Sequence, residues 1–232
     1  MKKILFMLTV ISLPFFMACN KDEKEAGSKS EANQQFDQSN YGIYRGIFVG
    51  SSGVIAINLG NNGNSPFAIL IIDGVTYNFT TIETVTQNAN TSILFTQGNN
   101  SFVFSVDADG RNPIVRDINI AGHPDAVITV IKETSSTVVA CYEGTYQGDY
   151  SFGTFNMVIS GNSIVALTDA FTGSGTVTGN SIIGSGSAFG NTVFFIGEKN
   201  GENEISGTWD NPGFGEQGTW RTTRRYITTF EN

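Results

Sequence analysis

The chain is poor in the residues from which metal centres and disulfide frameworks are built. Its 232 residues include only two cysteines, Cys19 and Cys141, and a single histidine, His123. This is too few for a disulfide framework, a Cys/His zinc site or a multi-histidine metal centre. We therefore expect no metal site and no cofactor.

Basic residues are also scarce. The chain has 13 Lys and Arg against 21 Asp and Glu, which gives a formal net charge of −8. Proteins that bind nucleic acid usually present a basic patch to the phosphates, so we expect no nucleic-acid partner. The remaining composition, 40% apolar and only 15% charged, is that of a globular protein rather than a disordered one.

The N-terminus has the pattern of a secretory signal. Lys2 and Lys3 precede an apolar run, residues 4–17, that is too short to span a bilayer comfortably as a helix. The run ends at residues 16–19 (FMAC), which resemble the bacterial lipobox, where a small residue such as Ala18 precedes a Cys that is acylated and becomes the new N-terminus. The resemblance implies a signal peptide over residues 1–18 and lipidation of Cys19. The alternative is an ordinary cleaved signal in which Cys19 is incidental.

A short acidic segment follows Cys19. Lys21, Asp22 and Glu23 resemble the surface-export tag of Bacteroidota-type lipoproteins, although any hydrophilic spacer would also fit. The resemblance implies a protein anchored by lipid to the cell outer membrane, with its body facing the cell surface. Because residues 19–40 are rich in charge and hold almost no large apolar side chains, we predict a disordered tether there.

From Tyr41 onward the pattern is that of an all-β protein. Short runs of β-branched and aromatic residues, such as 102–106 (FVFSV) and 192–196 (TVFFI), are separated by Asn-Gly and Asp-Gly pairs that favour tight hairpins. No stretch has the sustained apolar spacing of a helix. We therefore predict an antiparallel meander, since parallel crossovers would need helices.

An internal echo divides this β-rich part in two. Residues 44–50 (YRGIFVG) match residues 142–148 (YEGTYQG) in their aromatic and glycine positions. We predict two similar halves, 41–136 and 137–232, that form either two small β-barrels or one β-sandwich. The second half is richer in glycine, which predicts β-bulges and sharp coiling. Residues 142–224 also weakly resemble lipocalin-like and avidin-like meander barrels and β-modules of bacterial lipoproteins.

Three residues near the C-terminus are candidates for ligand binding. Trp209 and Trp220 are the only tryptophans, and a hairpin centred near Phe214 would bring them opposite each other on one face. They form either a stacking platform for a sugar or apolar ligand, or a core pair. Arg221 belongs to the only cationic cluster, which either binds an anion or lies at a solvated edge.

The sequence gives no catalytic constellation. His123 lies in a turn with no second histidine, residues 107–110 (DADG) fit a hairpin turn better than a calcium loop, and Cys141 is expected to be a buried apolar side chain. We therefore expect no catalytic residues and a protein that is not an enzyme. The predicted function is a non-enzymatic accessory or interaction subunit of a cell-envelope assembly, with an envelope protein as partner besides the outer membrane. The alternative is a ligand-binding β-barrel module for a glycan or a small apolar molecule.

Overall fold

The computed structural model describes residues 29–228. The predicted signal peptide, Cys19 and the tag residues Lys21, Asp22 and Glu23 lie outside these residues. Within them the chain folds into antiparallel strands arranged as a meander, so the all-β prediction is confirmed. No helix among residues 29–228 is long and apolar enough to cross a membrane.

The first eight strands form a nearly closed barrel. They lie in the order β7-β6-β5-β4-β3-β2-β1-β8. Their bounds are β1 Gly42–Val49, β2 Gly53–Leu59, β3 Phe67–Ile72, β4 Val75–Thr80, β5 Thr91–Gln97, β6 Asn100–Val106, β7 Ile114–Asn119 and β8 Val127–Glu133. The opening lies between β7 and β8, which share no ladder in the described part of the chain.

The remaining strands form a closed barrel. The sheet order is β10-β9-β11-β12-β13-β14-β15-β16-β17, and β17 also pairs with β9, which closes eight strands on themselves. The bounds are β9 Val139–Gly148, β10 Phe152–Thr154, β11 Asn156–Ser160, β12 Ser163–Leu167, β13 Phe171–Thr178, β14 Ser181–Ala188, β15 Asn191–Lys199, β16 Glu204–Asn211 and β17 Glu216–Arg225. The short strand β10 extends the line of β11 along the same edge of β9. Of the two architectures left open by the sequence, the structure has barrels.

The segment before β1 is folded, and the prediction of a disordered tether is wrong for residues 29–40. A single turn of 3-10 helix, Gln34–Phe36, buries the ring of Phe36. Asn40 is fully buried, and its Nδ2 donates to the carbonyl of Thr86 and to Oγ1 of Thr91, both at 2.8 Å. Composition alone does not reveal such partners, because they lie far along the chain.

The two barrels share an apolar contact. Ile47 and Val54 of the first barrel belong to the same buried cluster as Val139, Cys141 and Val158 of the second. Burial raises the pKa of the Cys141 thiol to about 12, and the residue is only 4% exposed. The interpretation of Cys141 as a buried apolar side chain is confirmed.

A buried ion cluster joins the segment before β1, the end of β8 and the segment after β17. Arg45 lies at its centre, with Nη2 at 2.6 Å from Oε2 of Glu31 and Nε at 2.8 Å from Oε2 of Glu133. Nη1 donates to the carbonyl of Ile227 at 2.6 Å, and the guanidinium lies 4.9 Å from the ring centroid of Tyr226. Arg45 and Glu133 are 3% and 1% exposed, so the pairing is withdrawn from water. The chain ends of both barrels are therefore fastened at one point.

Candidate ligand-binding site

A cavity of about 300 Å³ opens at one end of the second barrel. Four turns surround its mouth, at residues 149–151, 168–170, 189–190 and 212–215. The walls are mostly apolar and aromatic. The lining residues are Tyr146, Ser151, Phe155, Thr168, Ala170, Phe171, Ala188, Phe189, Val193, Phe195, Trp209, Asn211, Phe214 and Glu216.

Glycines on the inner face of the barrel make room for these rings. Gly184 is paired with Phe195, and a Cβ at Gly184 would lie 2.1 Å from Cζ of that ring. A Cβ at Gly173 would likewise lie 2.2 Å from Cζ of Phe171. The pairings of β13 with β14 and of β14 with β15 run without a register shift, so the prediction of bulges at these glycines is wrong. The missing side chains leave space that the rings partly fill.

The two tryptophans lie on the same inner face but not opposite each other. Trp209 is paired with Gly218 and Trp220 with Gly207, so the predicted pairing is offset by two residues. Trp220 is 2% exposed and packs under the cavity, where its ring centroid lies 5.1 Å from that of Phe155. It is therefore a core aromatic.

Trp209 is the tryptophan that contacts the cavity. It is half-buried, lines the wall and meets the ring of Tyr146 edge-on, with 5.9 Å between the ring centroids. A Cβ at Gly148 would lie 2.6 Å from Cζ2 of Trp209, so the ring of Trp209 can pack this closely against β9 only because residue 148 is glycine.

Arg221 does not belong to the site. It follows inward-facing Trp220 and therefore points outward, where it forms an exposed ion pair with Glu204. Arg225 pairs with Glu143, and Arg224 lines a second cavity at the opposite end of the barrel. The structure thus separates the predicted cationic cluster into different environments.

Two polar groups at the cavity lack protein partners in the described part of the chain. Asn211 is 5% exposed, yet its Oδ1 accepts no hydrogen bond, and Nε1 of Trp209 donates none. Buried polar atoms ordinarily find partners, and each one left without a partner costs about 1–3 kcal/mol. Nε1 of Trp209 lies against β17, where a Cβ at Gly218 would be 2.6 Å away, so the side chain of Asn211 is the unpartnered polar group of the two that is left for a bound molecule.

The carboxylate of Glu216 lines the mouth of the cavity. Oε1 of Glu216 accepts hydrogen bonds from Oγ of Ser151 at 2.7 Å and from the backbone N–H of Tyr150 at 3.1 Å. The Ser151 hydroxyl, more than any other group, lowers the pKa of Glu216. The side chain therefore keeps its negative charge at neutral pH.

The rim carries exposed aromatic side chains that the sequence analysis did not single out. Tyr150 is 90% exposed, Phe189 78% and Phe214 57%. The rings of Phe189 and Phe214 meet across the mouth, with 6.4 Å between centroids. The signal was present, because Phe189 and Phe214 lie beside glycines in turns, where polar residues are usual.

Phe189 is also held in an unfavourable backbone conformation. Its φ is +49°, in the left-handed region that bulky side chains rarely adopt. Such a conformation costs roughly 1–3 kcal/mol and is common at ligand clamps. The chain thus keeps an aromatic ring at the mouth of the cavity against its local preference.

The other sequence candidates take structural roles. Gly110 N–H donates to the carbonyl of Asp107 at 2.9 Å, which closes the predicted hairpin turn. The ring of His123 packs edge-on against Phe48, with 5.3 Å between centroids. Among residues 29–228 no group of three His, Cys, Asp or Glu side chains is placed to hold a metal ion.

Comparison of the chain with models of known protein families, with curated proteins and with solved structures finds no match. The shape and chemistry of the cavity are therefore the basis for a functional proposal.

Proposed function

We propose that the protein is a ligand-binding lipoprotein whose second barrel holds a small apolar molecule. The observation that carries this proposal is the aromatic cavity at the mouth of the barrel, walled by Tyr146, Phe171, Phe195 and Trp209. Ligand sites are typically concave and apolar with a few placed polar groups, and the mouth of a β-barrel is a common position for them. Small barrels of eight strands are either filled by side chains or hold one small ligand.

The lining favours an apolar molecule over a glycan. A sugar presents hydroxyls around its ring, and each hydroxyl that is removed from water needs a polar partner. The cavity offers few such partners, chiefly Asn211, Glu216 and the hydroxyls of Ser151 and Thr168. The hydroxyl of Ser151 already donates to Glu216, and Oγ1 of Thr168 accepts from the backbone of its own turn.

The proposal is tested with N-phenylnaphthylamine, a neutral probe whose emission rises in apolar surroundings. We expect saturable emission with the wild type, and its loss in Ala188→Phe, because Ala188 lines the cavity and a ring there fills it. Ala121→Phe is the matched control, since Ala121 is exposed on the first barrel. Equal probe binding by wild type and Ala188→Phe, or no binding by either, contradicts the proposal.

We further propose that lipid on Cys19 anchors the protein to the outer membrane. Support comes from residues 16–23, where the lipobox-like segment and the export-tag-like residues Lys21, Asp22 and Glu23 follow one another. Several acyl chains on one cysteine anchor a protein stably. We expect Cys19→Ala to leave the membrane fraction, and alanine at the three tag residues to retain anchoring but lose surface exposure to added protease. Membrane retention of Cys19→Ala contradicts the anchor.

An interaction subunit of an envelope assembly is the second candidate function. The observation that favours it is an exposed apolar patch on the outer face of the second barrel, where Ile183 and Ile196 are cross-strand partners and Phe194 lies beside them. Exposed apolar patches of this kind mark contact surfaces. We expect crosslinking in outer membranes to capture a stoichiometric partner that Ile183→Lys loses and Ala121→Phe retains. No partner above the level of an unanchored Cys19→Ala control contradicts this candidate.

A further inference from the structure

The oxygen Oδ1 of Asn211, which accepts no hydrogen bond from the described residues, indicates which kind of group a ligand would carry. Asn211 is only 5% exposed, it lines the cavity, and its Oδ1 has no partner in the described part of the chain. A carbonyl oxygen accepts hydrogen bonds and donates none. The ligand group that satisfies it must therefore carry an N–H or an O–H.

Glu216 adds a negative charge at the same end of the cavity. It begins β17, directly across the hairpin from Asn211, and the two residues are cross-strand partners. Its carboxylate also only accepts hydrogen bonds when ionised, and Ser151 and Tyr150 both donate to the same oxygen, Oε1. Two acceptors, one of them charged, thus lie side by side.

No basic side chain balances this charge at the mouth. The four turns around the mouth hold Asp149 and Asp169 but no Lys or Arg. The cations of the second barrel lie elsewhere among the described residues, with Lys199 and Arg224 at the opposite end and Arg221 and Arg225 in ion pairs with Glu204 and Glu143. The mouth is therefore negative as well as aromatic.

The carboxylates lie close enough to the cavity wall to affect a residue in it. The pKa of Tyr146, whose ring forms part of the wall, is raised by burial and then by the charges of Asp169 and Glu216. The faces of aromatic rings such as Tyr146 and Trp209 also attract cations. Charge and ring faces therefore favour the same sign of ligand.

From this geometry we infer that the ligand is a cationic amphiphile, an apolar body that carries a primary ammonium group. The ammonium donates to Oδ1 of Asn211 and to the carboxylate of Glu216, while the apolar body lies among the rings. A fatty acid is disfavoured in this role, because its carboxylate would lie beside the like charge of Glu216 with no Lys or Arg at the mouth to balance it. This inference rests on the proposed function, since it names the class of molecule that the cavity binds.

The test uses four probes that share one octyl chain and differ only in the head group. Titration calorimetry below micelle formation compares octylammonium, octyltrimethylammonium, octanol and octanoate. We expect octylammonium to bind tightest, by about tenfold or more over octanol, because charge-assisted hydrogen bonds are about twice as strong as neutral ones. The quaternary probe keeps the charge but cannot donate, so it falls between them, and octanoate binds weakest.

Two variants separate the contributions of charge and hydrogen bonding. Glu216→Gln keeps the shape and removes the charge that contacts the ammonium, and it is expected to reduce the preference for octylammonium over octanol to less than about threefold, since the charge-assisted hydrogen bond to Glu216 is then lost. Asn211→Leu removes the acceptor and is expected to bring octylammonium and octyltrimethylammonium to similar affinities. The control is Glu198→Gln, which removes an exposed carboxylate from the outer face of β15 and should leave the ranking unchanged.

The results of these experiments distinguish failure of the cationic-ligand proposal from failure of the proposed ligand-binding function. If all octyl probes bind equally, or octanoate binds tightest, the cationic ligand is overturned while the apolar-ligand function stands. If neither the octyl probes nor N-phenylnaphthylamine bind, the proposed function fails. A preference for octylammonium that survives in Glu216→Gln and Asn211→Leu overturns the assignment of these two residues.

Discussion

The two barrels begin alike and differ inside. In the first, Phe48, Phe79, Phe95, Phe102 and Phe104 are completely buried, and they fill the interior. In the second, inward positions alternate between rings and glycines, and a cavity remains above the rings. The comparison indicates that glycine at an inward-facing position of a regular strand leaves space in the interior of the barrel. The same meander forms either a barrel with a filled interior or a barrel with a cavity, depending on which inward-facing positions are glycine.

The shared opening pattern has a shared physical cause. A Cβ at Gly46 would lie 1.8 Å from the carbonyl oxygen of Thr129, and a Cβ at Gly144 would lie 1.9 Å from that of Arg221. In each barrel the first strand thus runs unusually close to its partner, β8 or β17. The repeated pattern at residues 44–50 and 142–148 therefore reflects the same close contact between strands in both barrels.

The largest expected effects come from removing one ring from each barrel. Phe102→Ala and Phe195→Ala should each lower the free energy of unfolding by about 3–5 kcal/mol, because both rings are buried. Urea denaturation measures these losses. Only Phe195→Ala should change N-phenylnaphthylamine binding, since only Phe195 lines the cavity. An equal change in Phe102→Ala would show that binding is not confined to the second barrel.

A comparable loss of stability is expected where the chain ends of both barrels meet. Arg45→Met leaves Glu31 and Glu133 buried without their cation, which should cost about 3–5 kcal/mol. Arg116→Met is the control, because Arg116 forms an exposed pair with Asp117 that is worth about 1 kcal/mol or less. Urea denaturation of the two variants gives the comparison. Equal stabilities would mean that the buried cluster contributes no more than a surface pair.

A smaller effect is expected when a side chain is added to the inner face of the second barrel. Gly184→Ala places a Cβ against the ring of Phe195 and should cost about 1–3 kcal/mol through overpacking. It should also weaken probe binding, because the displaced ring moves into the cavity. Ser185→Ala, on the outer face of the same strand, should stay within about 0.5 kcal/mol. A stabilised Gly184→Ala would contradict the role of glycine as a maker of space.

The contact shared by the barrels should weaken in alkali. Burial raises the pKa of Cys141 from 9.0 to about 12, so the folded state holds a proton that the unfolded state loses between these pH values. Stability from this group is complete below pH 9 and should fall by about 1 kcal/mol by pH 10. Comparison of wild type with Cys141→Ala by urea denaturation at pH 8 and pH 10 isolates the effect. An equal pH dependence in both proteins would contradict it.

A small effect on stability is expected from filling the cavity of the second barrel. Ala188→Phe places a ring in the cavity, so that the interior of the second barrel is filled like that of the first. We expect the free energy of unfolding to change by no more than about 1.5 kcal/mol, because the ring enters existing space. Thermal unfolding measures this change. A loss as large as that of Phe195→Ala would mean that the space is not open to a side chain.

The architecture was largely predictable because its causes are local. The hairpin at Asp73-Gly74, for example, follows from two residues that accept positive φ, at +49° and +79°. Turns of this kind, together with alternating apolar strands, define a meander and its two halves. The folding of residues 29–40 was not predictable, because Glu31 and Asn40 are held by partners distant in the chain.

The site was only partly predictable because it depends on register. Of the three candidate residues, Trp209 lies in the cavity wall, whereas Trp220 lies beneath the cavity and Arg221 outside it. Which of these side chains points inward, and which glycine it faces, follows from pairing between strands. A shift of two residues in that pairing separates the two tryptophans, and composition does not reveal it.

The most direct test of ligand binding in the cavity of the second barrel is contact quenching of tryptophan emission by a brominated octanol. Both tryptophans of the chain lie in the second barrel, and Trp209 lines the cavity, so quenching that is lost when the cavity is filled reports on that site. We predict saturable quenching in the wild type that is lost in Ala188→Phe and retained in Ala121→Phe. Calorimetric binding of the same probe without tryptophan quenching would contradict the account.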